Sequence, residues 1–528
     1  MTTLLPPGVS EESFRAAYDE FVALLGQERV LLHGKDDLTE YRDPYEPESW
    51  ELFLPSAVVH PKSTEEVQEV VRIANRHTIT LWVHGAGKNN AYGGGAPGVN
   101  GAVTISFREF REVLEINEEL GYAVVSPGTT WQELYDAIQA GGHNLMLSCT
   151  DLGWGSVIAN ATEHGLTYTP YGQDFQMPCG MEVVLPDGDV LRTGMGAMPN
   201  NNAWHLYKRG LGPTLDQLFM QSNFGIVTRM GVWLAPMPET FRACWVRIWD
   251  EKDVIPLVDR LRELRLDRTI EGVPVMYNTL LAASAMSKRT QWYEGDDPIP
   301  DDIIDHVAKE LQVGRFGLRF ALFGDEQVVE YNWEKCRKAF ETVPGADVWS
   351  TKCAGKDIPN LEHPGERTAG GIPGMTALNQ TYWYSEEHGG HIGAAPAVPL
   401  TGEEFYKSHL LMREVVEKEA GVDYMAGIPI INARTVLPIA CITYDTTNEE
   451  QSRDSYEAAK LLITRLAENG YGEYRTHIDT MDHSQATFSW NDNAYLRFVE
   501  KLKDAVDPNG ILMPGKQGIW PERLRPQR

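Results

Sequence analysis

The fold of this chain is decided around one stretch, His84-Gly85-Ala86-Gly87-Lys88-Asn89-Asn90-Ala91-Tyr92-Gly93-Gly94-Gly95. It holds five glycines in twelve residues. Glycine adopts backbone conformations that other residues avoid, so such a loop can turn successive N–H groups inward as a nest for a pyrophosphate. The order GxGxxG is absent and no helical pattern begins straight after the loop, so a Rossmann site fits poorly. From these residues alone, a merely flexible loop is the alternative.

The residues before the loop predict a strand–helix–strand unit. Residues 56–59 read as a buried strand, and residues 79–83 read as the next one. Between them, Ser63 and Glu66 predict a capping box at the start of a helix. Further upstream, apolar residues at helical spacing predict an amphipathic helix from Glu11 to Leu25.

The residues after the loop predict hairpins and glycine-bearing turns. Residues 181–193 read as a hairpin that turns at Asp187-Gly188. Asp151 lies in an apolar, aromatic and glycine-rich stretch, residues 149–157. There it is either a turn aspartate or a functional carboxylate. Residues 222–228 read as a second glycine-bearing turn that runs into a strand.

From about residue 238 to about residue 480, strand-like runs alternate with long helical patterns, which predicts a second, α/β domain. Within it, His391 stands between glycines in Gly389-Gly390-His391-Ile392-Gly393, which suits an imidazole presented to a planar cofactor. A loop histidine in a glycine-rich turn is the plainer alternative. A metal site with His388 is the third, although no cysteine or further histidine stands at ligand spacing nearby.

Two stretches near the C-terminus complete the pattern. Tyr474 and Arg475 are neighbours, and on a straight strand their side chains would point to opposite faces. They could reach one ligand only at a bend or at the end of the strand. A core tyrosine beside a surface arginine is the alternative. The turn-rich stretch 507–516 is expected to pack back onto the first domain.

Composition limits the class of protein. The 528 residues suffice for two to four domains, and a net charge of −28 disfavours nucleic acid or an anionic membrane as a partner, since both bind basic faces. No segment has about 18 consecutive apolar residues, and the start shows no signal pattern. The six cysteines are scattered without a CxxC pair, which predicts reduced, mostly buried thiols in a cytoplasmic protein.

Taken in chain order, six of these stretches resemble the vanillyl-alcohol oxidase and para-cresol methylhydroxylase family of flavoproteins. Within that family, the bacterial 4-alkylphenol oxidases, such as eugenol oxidase and 4-ethylphenol oxidase, are the most similar. The stretches are 84–95, 151–156, 222–227, 389–391, 472–477 and 507–516. The resemblance implies an α+β, two-domain FAD-linked oxidase fold. A split FAD-binding domain would comprise residues 1–238 and 482–528, and residues 239–481 would form an α/β cap domain over the flavin.

The same resemblance implies the residues of the site and no metal. FAD would be attached covalently through His391. Catalysis is implied for Asp151, Tyr92, Tyr474 and Arg475. Further contacts to FAD are implied for Gly85, Ala86, Gly87, Lys88, Asn89, Ser156, Asn223, Gly225, Ile226 and Lys516. Contacts to the substrate are implied for Tyr168, Ala395, Gly427 and Pro429.

The implied activity is the oxidation of para-substituted phenols, such as 4-ethylphenol, eugenol or vanillyl alcohol. A phenol has a pKa of about 10, and the permanent charge of Arg475 would favour the phenolate. Hydride transfer from the benzylic carbon to FAD would form a para-quinone methide, which gives an alcohol, a vinylphenol or an aldehyde with Asp151 as base. O2 would be reduced to H2O2. The implied partners are a small phenol and O2, and the implied assembly is a homodimer.

Two points stay open. Some relatives attach flavin through a tyrosine and pass electrons to a cytochrome, so Tyr382 and Tyr384 leave room for a 4-alkylphenol dehydrogenase or methylhydroxylase. The size of the substrate is also open. Ala394-Ala395-Pro396 stands where family oxidases often carry Phe-Ser-Pro, and residues 426–429 are small.

Overall fold

The structure, a computed structural model, describes residues 4–172 and 176–526. Helices and strands alternate over most of these two ranges. The helices are α1 (Glu11–Leu25), α2 (Thr64–His77), α3 (Trp131–Ala140), α4 (Val157–Thr162), α5 (Val254–Leu266), α6 (Thr279–Ser284), α7 (Asp301–Glu310), α8 (Glu326–Phe340), α9 (Pro364–Ala369), α10 (Gly402–Val415), α11 (Glu449–Glu468), α12 (Met481–Ala486) and α13 (Trp490–Val506). Within the described ranges, none of them has both the length and the apolarity needed to cross a bilayer.

The strands are mostly short, and they fall into several sheets. They are β1 (Val30–Leu32), β2 (Ala57–Val59), β3 (Leu81–His84), β4 (Val103–Ser106), β5 (Val113–Asn117), β6 (Tyr122–Val125), β7 (Leu145–Met146), β8 (Pro178–Val184), β9 (Val190–Arg192), β10 (Ile226–Trp233), β11 (Ala235–Pro236), β12 (Thr240–Ile248), β13 (Val275–Asn278), β14 (Phe316–Gly324), β15 (Asp347–Ala354), β16 (Gly389–Ala394), β17 (Pro396–Pro399), β18 (Met425–Pro429), β19 (Thr435–Val436), β20 (Ile439–Asp445) and β21 (Gly472–Glu473).

The N-terminal part of the chain builds two sheets. The first has the order β1-β2-β4-β3, in which β2 and β3 both run parallel to β4. Helix α2 supplies the crossover from β2 to β3, as the strand–helix–strand pattern predicts. The second sheet has the order β5-β6-β10-β8-β9 and is antiparallel. It contains the predicted hairpin, because β8 pairs with β9.

The helix starts follow the sequence closely, with one difference. Helix α1 spans the predicted residues Glu11 to Leu25. At the start of α2, the Ser63 hydroxyl accepts a hydrogen bond from the Glu66 N–H at 3.2 Å, as a capping box requires. The Glu66 carboxylate, however, accepts from the Lys62 N–H at 2.7 Å and from the Arg29 guanidinium at 2.7 Å. Only half of the predicted capping box is therefore formed, because Arg29 and Lys62 hold the carboxylate.

The C-terminal tail returns to the first sheet. The Leu81 N–H of β3 donates to the Ile511 carbonyl at 2.8 Å, and the Met513 N–H donates to the Leu81 carbonyl at 2.8 Å. The Asn223 carboxamide donates to the carbonyls of Met513, at 3.0 Å, and Ile519, at 2.9 Å. The expected packing of residues 507–516 against the N-terminal part is thus observed.

A seven-stranded antiparallel sheet dominates the middle of the chain. Its order is β15-β12-β14-β13-β18-β20-β16. Helices α5, α8, α10 and α11 cover one face and form the largest apolar core with it. The other face looks toward the glycine loop of the N-terminal part, across a large cavity. The chain thus combines helices with parallel and antiparallel strand pairs, which confirms the predicted α+β class.

Candidate active site

A cavity of about 1090 Å³ separates the glycine loop from the open face of the seven-stranded sheet. Most of the residues selected from the sequence line it. They are Gly85, Ala86, Gly87, Lys88, Asn89, Tyr92, Asp151, Ser156, Tyr168, Gly225, Ile226, His391, Gly427, Pro429, Tyr474, Arg475 and Lys516. Residues from both ends of the sequence therefore meet around one space.

The glycine loop needs its glycines for shape and for close packing. Gly87 and Gly93 have φ angles of +67° and +101°, which side chains disfavour. A Cβ on Gly85 would lie 2.6 Å from the Cβ of Ser156, so only glycine lets the loop meet the start of α4. The Ser156 hydroxyl accepts from the Ala159 N–H at 3.0 Å and so caps that helix. Loop backbone and a helix start thus face the cavity together, which suits a phosphate group.

His391 presents an unpaired imidazole to the cavity. It lies on β16, opposite Thr443 of β20, and is 5% exposed. In the described part of the chain neither ring nitrogen has a hydrogen-bond partner. Burial, with a further contribution from His477, lowers the pKa of His391 to about 4. The ring is therefore neutral near pH 7 and keeps a free nitrogen lone pair, as attachment to a flavin would require.

The alternative tyrosines and the second histidine lie elsewhere. The Tyr384 hydroxyl accepts from the Asp423 N–H at 2.7 Å, and its ring lies 5.1 Å from the Arg289 guanidinium. Tyr382 is 37% exposed. Neither tyrosine is among the described residues that line the cavity. His388 is exposed just before β16, and residues 4–172 and 176–526 hold no group of three or more His, Cys, Asp or Glu placed to bind a metal.

One end of the cavity gathers two tyrosines and an arginine. Tyr474 and Arg475 follow the last residue of β21, at the strand end that the sequence required if both were to reach one ligand. The Arg475 guanidinium lies 4.1 Å from the centre of the Tyr92 ring and donates to the Asn89 carboxamide oxygen at 2.7 Å. Burial raises the pKa of Tyr474, and Arg475 works in the opposite direction. The tyrosines thus stay protonated beside a fixed positive charge.

Asp151 lies on the sheet side of the cavity, held by two partners. Its carboxylate accepts from the Arg319 guanidinium of β14 at 3.2 Å and from the Tyr168 hydroxyl. Burial raises the pKa of Tyr168 well above its usual value, and the Asp151 charge adds to this. The backbone is fixed as well, because the Gly374 N–H donates to the Asp151 carbonyl at 3.2 Å. Asp151 therefore has a defined orientation that a plain turn aspartate does not need.

Two selected residues do not line the cavity. The Asn223 side chain is buried against the C-terminal tail, where its carboxamide bonds to two carbonyls, so it fixes the tail. Ala395, the single residue between β16 and β17, is not among the lining residues. Its N–H donates to the Glu473 carboxylate at 2.7 Å, and its neighbour Ala394 lines the cavity instead. The contact of Asn223 with FAD and that of Ala395 with the substrate therefore stay predictions that the lining of the cavity does not support.

Comparison with known proteins agrees with this geometry. A family model described as an FAD binding domain matches residues 55–194. The 4-cresol dehydrogenase [hydroxylating] flavoprotein subunit of Pseudomonas putida is 34% identical over 98% of this chain and 98% of its own length. The structure of 4-ethylphenol oxidase from Gulosibacter chungangensis in its isoeugenol complex matches with a TM-score of 0.92 at 37% identity, covering 99% of this chain and 100% of that one.

The structure of p-cresol methylhydroxylase with substrate bound also has a TM-score of 0.92, at 34% identity, and covers 98% of this chain and 99% of its own. The chain belongs to the vanillyl-alcohol oxidase and para-cresol methylhydroxylase family. As a member of this family it is an FAD-linked oxidoreductase. The glycine loop, the Lys516 side chain and the His391 imidazole, which has no partner among the described residues, are groups at the cavity that fit FAD.

Within this flavoprotein fold, the sequence did not point to two residues that line the cavity, Arg319 and Tyr277. Arg319 is the partner of Asp151, yet it lies 168 positions further along the chain. It interrupts the apolar run of β14, Phe316-Gly317-Leu318-Arg319-Phe320-Ala321-Leu322. A charged residue inside a buried strand needs a partner, and that signal could have singled it out. Tyr277, also missed, lines the cavity from β13.

Proposed function

We propose that the protein is an oxidase of para-substituted phenols, the 4-alkylphenols, with FAD attached covalently to His391. The observation that carries this proposal is the meeting of Tyr92, Tyr474 and Arg475 at one end of a cavity that also contains His391 and Asp151. The two relatives are named for their substrates, 4-cresol and 4-ethylphenol, and this supports the same substrate class.

The first step assigned to the protein is binding of the phenol as its anion. Arg475 carries a permanent charge, and the hydroxyls of Tyr92 and Tyr474 can donate hydrogen bonds to a phenolate oxygen. A negative oxygen at this end pushes electron density through the ring toward the para carbon. FAD held at His391 would supply the acceptor for the benzylic hydride and, with one further proton, the two electrons that convert O2 to hydrogen peroxide.

The second step is proton transfer at the para side chain. Loss of hydride leaves the substrate as a para-quinone methide. Asp151 can take a proton from water, so that an alcohol forms, or from the next carbon, so that a vinylphenol forms. Arg319 and Tyr168 hold both carboxylate oxygens of Asp151, which fixes the direction in which the base points.

A comparison of substrates tests phenolate binding. The O-methyl ether of 4-ethylphenol has no proton to lose and cannot become an anion, so we expect no measurable peroxide from it. The parent phenol should be oxidised under the same conditions. Comparable turnover of the ether would remove the role proposed for Tyr92, Tyr474 and Arg475.

A variant tests the base. Asp151→Asn keeps the shape of the side chain but cannot accept the proton, so we expect turnover of 4-ethylphenol to fall at least ~100-fold, within the range for general acid–base catalysis. The ratio of alcohol to vinylphenol should change too. Asp187→Asn is the matched control, because Asp187 is an exposed turn aspartate that accepts from the Asp189 N–H at 2.9 Å. If flavin-loaded Asp151→Asn keeps a near-normal rate and product ratio, Asp151 is not the base and its role is structural.

A second candidate is a 4-alkylphenol dehydrogenase that passes electrons to a cytochrome-type protein. The observation that favours it is the relative named as a flavoprotein subunit of 4-cresol dehydrogenase, which is 34% identical over nearly the whole chain. The phenol chemistry at Tyr92, Tyr474 and Asp151 would be the same. The two candidates differ only in what reoxidises the flavin.

A further inference from the structure

The floor of the cavity continues well beyond Asp151. In the register of the seven-stranded sheet, Trp349 of β15 is paired with Trp245 of β12, and Trp245 is paired with Arg319 of β14. The same row continues through Val275 of β13 to Pro429 of β18. All five side chains line the cavity. One face of the sheet therefore connects the surroundings of Asp151 with the edge strand β15.

The length of this floor exceeds a short alkyl chain. Arg319 holds Asp151, which is the base assigned to the para side chain. Neighbouring strands lie about 4.8 Å apart, so Trp349 is roughly 10 Å from Arg319 across the sheet. A para methyl or ethyl group at Asp151 would end far short of Trp349. The outer part of the cavity is thus free for a longer substituent.

The outer part is aromatic. The Trp245 and Trp349 rings lie 6.2 Å apart with an angle of 10° between their planes. The His363 ring meets Trp245 edge-on at 5.0 Å, and a Cβ on Gly365 would lie 2.6 Å from Trp245, so the start of α9 covers that indole. Trp245 is only 8% exposed, whereas Trp349 is 40% exposed. Trp349 is therefore the more open of the two rings. The Arg247 guanidinium lies 5.3 Å from its centre, so a ligand ring would stack on the part of the indole that Arg247 leaves exposed.

The charges nearby favour a neutral group over an anion. The Arg247 guanidinium is paired with the Asp347 carboxylate at 2.7 Å and donates to the Gln312 carbonyl at 2.6 Å. Arg319 is committed to Asp151. Among the described residues on this part of the lining, the other charged side chain is Glu366, which is itself negative. A carboxylate at the end of the substrate would meet repulsion here, while an aromatic ring would meet an indole and the apolar carbons around it.

From this we infer an aryl-binding subsite on Trp349, so that the preferred substrates are phenols whose para side chain ends in a second aromatic ring. This inference rests on the proposed phenol oxidation and adds the substrate class to it. The phenol oxygen lies at Tyr92, Tyr474 and Arg475, the reacting carbon lies near Asp151, and the distal ring stacks on the indole.

Three phenols distinguish specific binding of an aromatic ring from non-specific hydrophobic binding of a long side chain. We compare 4-(3-phenylpropyl)phenol with 4-nonylphenol, whose side chain has the same number of carbons, and with 4-ethylphenol. We expect the wild type to have the highest kcat/KM for the aryl-tipped phenol, several-fold above that of the nonyl compound. Equal or better use of 4-nonylphenol would overturn the aryl subsite. Turnover of none of the three would overturn the proposed function together with the subsite.

Variants of Trp349 give the second measurement. In Trp349→Ala, the ratio of kcat/KM for the aryl-tipped phenol to that for 4-ethylphenol should fall roughly tenfold, as expected for loss of one aromatic contact. Trp349→Phe should keep most of the ratio, because a ring remains. Trp490→Ala, which removes a tryptophan 83% exposed outside the cavity, is the control and should leave the ratio unchanged. If Trp349→Ala, like Trp490→Ala, leaves this ratio unchanged while 4-ethylphenol is still oxidised, the subsite is rejected and the proposed function still stands.

Discussion

His391 is buried, and within residues 4–172 and 176–526 neither of its ring nitrogens has a partner, an arrangement that is costly unless another group uses one of them. Because its pKa is lowered to about 4, the imidazole is neutral and nucleophilic at ordinary pH. Attachment of FAD would supply the missing partner. The Nε2–H of its neighbour His477 donates to the buried Asp43 carboxylate at 2.8 Å, so that second histidine is already engaged.

The covalent link can be tested by acid precipitation. We expect the yellow colour to stay with the precipitated wild-type protein, because a covalent flavin survives denaturation. In His391→Ala the flavin should pass into the supernatant, since the attachment atom is gone. His388→Ala, three residues earlier and exposed, is the control and should keep its flavin. Loss of flavin from precipitated wild type would contradict the link.

Glu473, next to the phenol-binding pair, should make folding depend on pH. Burial raises the pKa of its carboxyl to about 8, although the N–H groups of Ala395 and Arg475 act in the opposite direction. In the unfolded chain the carboxyl ionises near its ordinary value of 4.5. The folded protein therefore keeps a proton that the unfolded chain loses. The resulting stability is full below about pH 4.5 and is lost as the pH rises to about 8.

The neutral variant Glu473→Gln removes this dependence. We expect its melting temperature, relative to wild type, to rise between about pH 5 and about pH 8, because only wild type must bury a charge at the higher pH. Glu310→Gln, an exposed glutamate at the end of α7, should show no such trend. A constant difference between Glu473→Gln and wild type across this range would mean that Glu473 is already ionised in the fold.

At the scale of elements, α13 and the tail behind it complete the N-terminal part. Lys503 of α13 is fully buried and pairs with Asp507 at 2.7 Å. Its ammonium also donates to the carbonyls of Asn223 at 2.6 Å and Leu512 at 2.7 Å. One side chain thus joins the helix, the tail and the turn before β10. Because Lys516 and Met513 of the same tail line the cavity, this junction also supports the site.

Removing the Lys503 charge should therefore loosen the tail. Lys503→Met leaves the Asp507 carboxylate buried without its cation, and breaking a buried pair in this way costs about 3–5 kcal/mol. We expect a clearly lower melting temperature and a lower ratio of flavin to protein. Lys501→Met, on the exposed side of the same helix, is the matched control. An equally small effect of both substitutions on the melting temperature would show that the junction is not needed.

At the scale of the whole molecule, the acceptor that reoxidises the flavin distinguishes an oxidase, which uses O2, from a dehydrogenase, which uses a protein. For an oxidase we expect one H2O2 per phenol oxidised in air-saturated buffer, without any added acceptor. A dehydrogenase would produce little peroxide and would need an artificial electron acceptor for sustained turnover. Peroxide measured with and without such an acceptor decides between the two.

The homodimer and the domain boundaries near residues 238 and 481 are proposals at the same scale. Sedimentation tests the homodimer, and limited proteolysis tests the boundaries.

The sequence by itself determined the local elements and the family. Apolar residues at helical spacing fix α1, because one stripe of that helix must be buried. The glycine loop was identifiable because its backbone angles suit few other residues. The blocks around Asp151, His391 and Tyr474 identified the flavoprotein family, since six short stretches in one order rarely occur together by chance.

Only the tertiary structure decided which residues meet. Arg319 and Asp151 lie 168 positions apart, and Arg475 and Asn89 lie 386 positions apart, so no local pattern pairs them. The register of the strands decided the rest. Successive strand residues point to opposite faces, and a change of one position moves a side chain from one face to the other. That is why Arg319 lines the cavity while its neighbours Leu318 and Phe320 belong to the core under the helices, and why the row from Arg319 to Trp349 could be read only from the assembled sheet.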